Sequence, residues 1–225
     1  MTARKKTTHA KKPLDERALK RAVLEAALKH VPFDGFSEKT LALAAADLEE
    51  DRATVMRLFP AGSRSLVEYF SETADAEMEA LLGKLDLKGM KVRNRIATAV
   101  RSRFSVLRPH KETARRAAAF LSLPPNLALA GTLVYRTVDA MWRATGDTST
   151  DFNFYTKRAI LAGVWSATLM RWFNDHSDDE SETENFLVAR IENVMQFERL
   201  KTQVNEVLSR IPSPLSVLTD FAARR

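Results

Sequence analysis

Gly146–Phe173, GDTSTDFNFYTKRAILAGVWSATLMRWF, decides how the rest of the chain is read. Ser149, Thr150 and Asp151 carry side-chain oxygens that can accept the unpaired N–H groups of a first helical turn, so a helix is expected to start there. From Ala159 to Met170 no residue is charged. Leu161, Trp165, Leu169 and Trp172 recur on one face, and Ile160, Val164 and Ala167 fill a neighbouring one. The spacing predicts a helix surrounded by protein. Its uncharged run falls well short of the about 20 apolar residues needed to cross a hydrocarbon core, so it reads as the central helix of a soluble all-α domain.

Upstream, Pro124-Pro125 resets the chain and Asn126 is placed to cap a helix that ends at Thr145-Gly146. Its apolar face is Leu127, Ala130, Val134, Val138, Met141 and Trp142, with Leu129 and Leu133 beside it. The short link Gly146–Ser149 makes this helix and the central one an antiparallel pair. Ala128, Ala130, Gly131, Ala162, Gly163, Ser166 and Ala167 fall between them. Small residues permit close packing or leave volume for an apolar ligand, and the pattern by itself allows both.

Downstream, Asn174–Glu182 is a dense acidic loop with a single histidine, His176. It lacks the ordered ligands and glycine turn of a calcium loop, and one histidine does not fix a zinc. It reads as a solvated loop feeding acids to the N-terminus of the next helix, where the dipole favours them. That helix, Glu184 to about Leu208, is expected to bury Phe186, Leu187, Ile191, Val194, Met195 and Phe197. Past Ile211-Pro-Ser-Pro214, Leu215, Leu218 and Phe221 share one face ahead of Arg224-Arg225. This spacing suits an amphipathic helix lying on an anionic membrane, or a tail packed on the body.

The first half begins with a basic tail, residues 1–12, without apolar periodicity or a secretory h-region, and is expected to be disordered. Arg4, Lys5, Lys6, Lys11 and Lys12 supply all but +1 of the formal net charge of +6. A first helix follows from Pro13 to the break at Pro32-Phe-Asp-Gly35. Ser37–Phe59 then has the rhythm of a helix-turn-helix: Ser37-Glu-Lys-Thr40 caps a short helix to Ala46 and Asp51–Phe59 forms another, with Leu41, Ala45, Val55 and Phe59 as its core. A DNA-binding repressor is therefore a live reading. Charge opposes it, since Asp34–Pro60 carries Lys39, Arg52 and Arg57 against Asp34, Glu38, Asp47, Glu49, Glu50 and Asp51, and DNA affinity rests on neutralising phosphates. Ser65–Leu82 is an amphipathic helix with Leu66, Tyr69, Phe70, Thr73, Glu77 and Leu81 at helical spacing. Lys91–Leu107 is another, with Val92, Ile96, Val100, Phe104 and Leu107 inward and Arg93, Arg95, Arg101, Arg103 and Arg108 outward, and a short helix runs on from His110 to Leu121. The expected divisions are thus 1–12, 13–62, 63–211 and 212–225.

Of the 225 residues 45% are hydrophobic, ample for a core, and none is cysteine, which excludes disulfides, thiolate metal sites and a cysteine nucleophile. His9, His30, His110 and His176 are scattered, no Glu-x-x-His pair exists for a carboxylate di-iron site, and there is no glycine-rich phosphate cradle. The chain reads as a non-enzyme that needs no metal or cofactor.

The stretch Asp139-Ala-Met-Trp142, the run GDTSTDFNFYTKRA and the later FLVARIENVM (Phe186–Met195) resemble the signature of the TetR-fold lipid-binding accessory proteins of ubiquinone biosynthesis, the coenzyme Q nine family, in its bacterial type. The likeness covers roughly residues 14–225. It implies an all-α TetR-like bundle with a vestigial N-terminal helix-turn-helix and a C-terminal amphipathic helix. Asp47-Leu48 stands where a TetR repressor's turn usually carries glycine, Met56 where a phosphate-contacting tyrosine is usual, and Gly62-Ser63 near where a lysine is usual. The resemblance further implies a pocket for isoprenoid quinone intermediates or phospholipid, here lined by Leu133, Val134, Val138, Leu161, Val164, Trp165 and Leu169. It implies a surface for a membrane-bound di-iron demethoxyubiquinone hydroxylase at Met141, Phe154 and Tyr155, and membrane contact through Leu215, Leu218 and Phe221. Phe154 replaces the tryptophan often found there, which keeps an aromatic anchor and loses the indole N–H. A homodimer, and a cytoplasmic protein held peripherally on the inner membrane, complete the expectation. A TetR-type repressor with a lipid effector is its competitor.

Overall fold

The computed structural model describes residues 15–148 and 152–210, with 152–153 and 197–210 as backbone only. All regular structure among them is helical: α1 (Glu16–Asp34), α2 (Glu38–Asp47), α3 (Arg52–Leu58), α4 (Ser63–Leu82), α5 (Val92–Leu107), α6 (Lys111–Leu121), α7 (Leu127–Ala144), α8 (Phe152–Phe173) and α9 (Ser181–Arg210). Single 3-10 turns at Arg108–His110 and Pro124–Asn126 lead into α6 and α7. The basic tail, the proposed cap Ser149–Asp151 and the C-terminal Leu215, Leu218 and Phe221 lie outside the described residues, as does the side chain of Phe197.

The N-terminal helices form as their local chemistry dictates. Pro32 falls in the last turn of α1, where a missing N–H costs one bond, and the helix continues to Asp34 before Gly35 turns the chain at φ +66°. Ser37 Oγ accepts from the Thr40 N–H at 3.2 Å, capping α2, while Thr40 Oγ1 donates to Gly35 O at 2.7 Å. Leu41, Ala45, Val55 and Phe59 are all buried between α1, α2 and α3. Gly62, at φ +56°, lets the Glu38 carboxylate accept from the Ser63 N–H, and a Cβ there would stand 2.0 Å from Glu38 Oε1.

This unit shares one core with the helices that follow. Buried side chains run without interruption from Val23 through Phe59, Leu66, Val100 and Met141 to Leu187. α4 and α5 form the middle of the molecule, with α1 and α6 on one side and α7 on the other, while α8 packs on α7 and α9.

Several faces differ from those the spacing predicts. On α4 the buried stripe is Leu66, Val67, Phe70, Ala74, Met78 and Leu82, together with Asp75, whereas Glu77 and Leu81 face solvent. On α5, Val92 is 54% exposed in the first turn, and Arg103, expected outward, is buried. Asn126 does not cap α7: its Nδ2 donates back to Phe120 O at 2.9 Å and closes the end of α6. Nor is α8 surrounded. Leu161, Val164, Trp165, Trp172 and Phe173 are buried, but Ala159, Gly163, Ala167 and Met170 are exposed because neighbours cover only part of its circumference. Gly131 and Gly163 have open space where a Cβ would stand, so they are not spacers for close helix packing.

Candidate functional site

The link from α7 to α8 is built around one arginine. Arg158, with its side chain 3% exposed, donates from Nε to Asp139 Oδ1 at 2.7 Å and from Nη1 to Asp147 Oδ2 at 3.3 Å and to the Phe154 carbonyl at 3.2 Å. Its guanidinium lies 3.3 Å from the centre of the Phe154 ring. Lys157 Nζ completes the cluster at 2.9 Å from Asp147 Oδ1, and Trp142 Nε1 donates to Lys157 O at 3.2 Å. The charged letters of the signature run thus hold the first turn of α8 against the end of α7.

This cluster fixes what the neighbouring surface offers. Tyr155 is 67% exposed and packs edge-on against Phe154, ring centres 5.1 Å apart. Met141 is fully buried in the core. Of the three residues expected to face a partner, Tyr155 is on the surface, Phe154 is half-buried against Arg158, and Met141 is in the core.

Two apolar cavities flank α8. The larger, of about 340 Å³, is walled by α4, α5, α6, α7 and α8, with Leu133, Val134, Trp165 and Leu169 among its lining residues. It falls at the lower end of ligand-pocket sizes, roughly 300–1,000 Å³. The second, of about 230 Å³, takes Leu161 and Val164 together with Trp142, Ile160, Ile191 and Val194. Val138 lines neither and is fully buried in the core. The seven residues expected in one pocket are therefore divided: Leu161 and Val164, about one turn nearer the start of α8, line the second cavity, while Trp165 and Leu169 line the larger one.

One wall of the larger cavity is polar. Arg103, with its side chain 4% exposed, sets Nε 3.0 Å from Asp75 Oδ1, and its Nη2 donates to Ser71 O at 3.3 Å. Thr137 Oγ1 donates to Asp75 Oδ2 at 3.1 Å. Burial pushes the Asp75 carboxyl up and the Arg103 guanidinium down, each opposed by the other's charge. Sequence reasoning missed both residues. Their signal lay in the spacing, since 96, 100, 103 and 107 form one stripe, as do 67, 71, 75, 78 and 82.

The acidic loop is tied down by side-chain contacts. Glu180 pairs with Arg108 at 2.8 Å and accepts from Trp172 Nε1 at 2.8 Å, while Glu182 meets Arg171 and Glu184 meets Arg101. Arg95 donates to the carbonyls of Met90 and Thr145 at 3.0 Å, so most of the α5 arginine run serves internal partners. Asp175 is 3% exposed. Burial works against its charge, but hydroxyl and backbone N–H donors of Ser177 and Thr183 hold its carboxyl well below the usual range. Such a group adds stability that is fully present above the ordinary carboxylate pKa of about 3.9 and is lost as pH falls through its lower folded value. Asp175→Asn is expected to cost about 2 kcal/mol at pH 7, and less at pH 3, in urea denaturation. A cost independent of pH would show that charge is not what the donors stabilise.

A helix-turn-helix unit sharing its core with a cavity-bearing helical bundle defines a TetR-like all-α fold. The crystal structure of the TetR transcriptional regulator from Nitrosomonas europaea ATCC 19718 superposes with a TM-score of 0.62 over 77% of this chain and 96% of that one, at 16% identity, a likeness that carries the fold alone. The COQ9 family model matches residues 127–198, which hold the Arg158 cluster and all three signature stretches. The mitochondrial ubiquinone biosynthesis protein COQ9 of Rattus norvegicus is 32% identical over 196 residues, 84% of this chain and 62% of the rat protein. The human protein of that name is 32% identical over 195 residues, 84% of this chain and 61% of its own length, and COQ9-B of Xenopus laevis is 32% identical over 84% of this chain and 67% of its own length. The chain belongs to the COQ9 family. It spans about three fifths of the length of the rat and human relatives.

Proposed function

We propose that this chain is a non-catalytic, lipid-binding accessory protein of ubiquinone biosynthesis. It takes an isoprenoid quinone precursor or a phospholipid tail into the larger cavity and presents it to a membrane-bound demethoxyubiquinone hydroxylase of the same pathway, working as a homodimer held peripherally on the cytoplasmic side of the inner membrane. The observation that carries this reading is the apolar cavity of about 340 Å³ bounded by Leu133, Val134, Trp165 and Leu169. An isoprenoid tail costs about 0.8 kcal/mol per CH₂ left in water, so a carrier needs such a cavity. The names of the relatives support the pathway. Among the described residues no single helix is long and apolar enough to cross a membrane. The net charge of −3 over Asp34–Pro60 weighs against the repressor.

Mass spectrometry of the organic extract from purified protein tests the reading. A co-purified quinone precursor is the expected result, phospholipid alone would leave a general lipid carrier, and an empty protein that retains specific DNA would reinstate the repressor. Tyr155→Ala is expected to weaken hydroxylase binding at least about tenfold with an unchanged melting temperature. Phe154→Ala is expected to lower both, because the ring also supports Arg158. Normal pull-down of the hydroxylase by the Tyr155 variant would remove this surface from the proposal.

A further inference from the structure

We propose that Arg103 anchors the polar end of the cavity's ligand: a neutral hydrogen-bond acceptor, such as a ring carbonyl, enters first against the guanidinium while the apolar chain trails toward the mouth. The inference rests on the carrier reading above and adds an orientation to it. The head group is held away from water during carriage and must leave Arg103 to reach the hydroxylase.

Arg103 is 3% exposed and lines the cavity with Ser71 and Thr137, while Leu127 and Met170 of the same lining are 56% and 48% exposed and so mark where it opens to solvent. A guanidinium has five N–H donors. Here Nη2 reaches Ser71, Nε approaches Asp75 without the alignment of a hydrogen bond, and Nη1 has no hydrogen-bond partner. Native proteins rarely leave buried donors unused, and Arg103 is the one cationic side chain among the described residues lining this otherwise apolar cavity, so a small shift of its guanidinium would let an acceptor on the ligand complete the donor set.

The charge balance selects the acceptor. Asp75 already compensates Arg103, and the cavity lining contains no second lysine or arginine. A phosphate or carboxylate drawn in would lose its hydration beside Asp75 and leave a net negative charge in an apolar wall. A carbonyl oxygen receives a charge-assisted hydrogen bond without adding charge.

The test is calorimetric titration of the full chain with four probes of similar length: decylubiquinone, methyl dodecanoate, decylbenzene and dodecanoate. Because Arg103→Gln alone would strand Asp75, the variants are Asp75→Asn/Arg103→Gln, neutral and near-isosteric, and Asp75→Asn, which keeps the guanidinium. The double variant is expected to bind decylubiquinone about tenfold more weakly and decylbenzene unchanged, the loss that one charge-assisted hydrogen bond predicts. Asp75→Asn is expected to keep decylubiquinone and to gain affinity for dodecanoate, a result that holds even if the double variant does not fold. A loss confined to decylubiquinone would assign the anchor to ring carbonyls, and an equal loss for methyl dodecanoate would extend it to ester carbonyls. Unchanged decylubiquinone binding in the double variant, or no gain for dodecanoate in Asp75→Asn, overturns the anchor while leaving the pocket. Failure of all four probes to bind the unaltered protein removes both the anchor and the carrier reading.

Discussion

Arg158→Met is expected to lower the unfolding free energy by about 3 kcal/mol, the low end of what breaking a buried ion pair from one side costs. The side chain is 3% exposed and contacts two carboxylates, Asp139 and Asp147, the latter with its own side chain 5% exposed. Methionine fills much of the volume and supplies no donor. Asp139 would retain Arg143 at 3.1 Å and Asp147 would retain Lys157 at 2.9 Å, which keeps the loss from being larger. Arg158→Lys should recover less than half, because an ammonium cannot serve both carboxylates and lie flat on Phe154 at once. Guanidinium denaturation reads the global cost, and hydrogen exchange over residues 152–160 reads the loosening of the first turn of α8. An unchanged midpoint would mean that the cluster does not hold that turn. If it does, the proposed partner surface at Tyr155 loses its support although Arg158 itself is buried.

Trp172→Ala is expected to cost about 3–5 kcal/mol, the range for removing a buried large aromatic side chain. Trp172 is fully buried, with ring centres 5.2 Å from Phe104 and 5.6 Å from Phe173, and Lys111 Nζ lies 5.0 Å from its ring. Its Nε1–H donates to Glu180, the residue that carries the chain into α9 at φ +56°. Trp172→Phe separates the two contributions. It keeps most of the packing and drops the donor, for an expected loss of about 1–2 kcal/mol. Urea denaturation of both variants checks this, and a phenylalanine variant as stable as the parent would show that the indole hydrogen bond to Glu180 contributes nothing.

Much of the fold is legible because the signals are local. The Ser37 cap needs only Thr40 three residues on and the stop at Gly35 needs only its own φ, whereas the uncharged run of α8 marks a helix without saying how much of it neighbours cover. The family signature is legible for a related reason, since its charged residues Asp139, Asp147, Lys157 and Arg158 lie close in sequence and meet across one turn. The candidate site is less so. Leu161, Val164, Trp165 and Leu169 are apolar at helical spacing, yet periodicity cannot say that a helix has a cavity on each of two sides.

What the sequence by itself determined is the all-α class, the order of the helices and the capped turn of the helix-turn-helix, all set by interactions spanning a few residues. Only the tertiary structure decided that Arg103 turns inward to Asp75, that Met141 is core while Tyr155 is surface, and that Gly131 and Gly163 face open space. Each of these depends on where segments far along the chain pack, or fail to pack, against the helix. A step of 100° per residue places stripe-edge positions only when the neighbouring helix is known, and a charged residue at such an edge goes inside where an opposite charge is waiting for it.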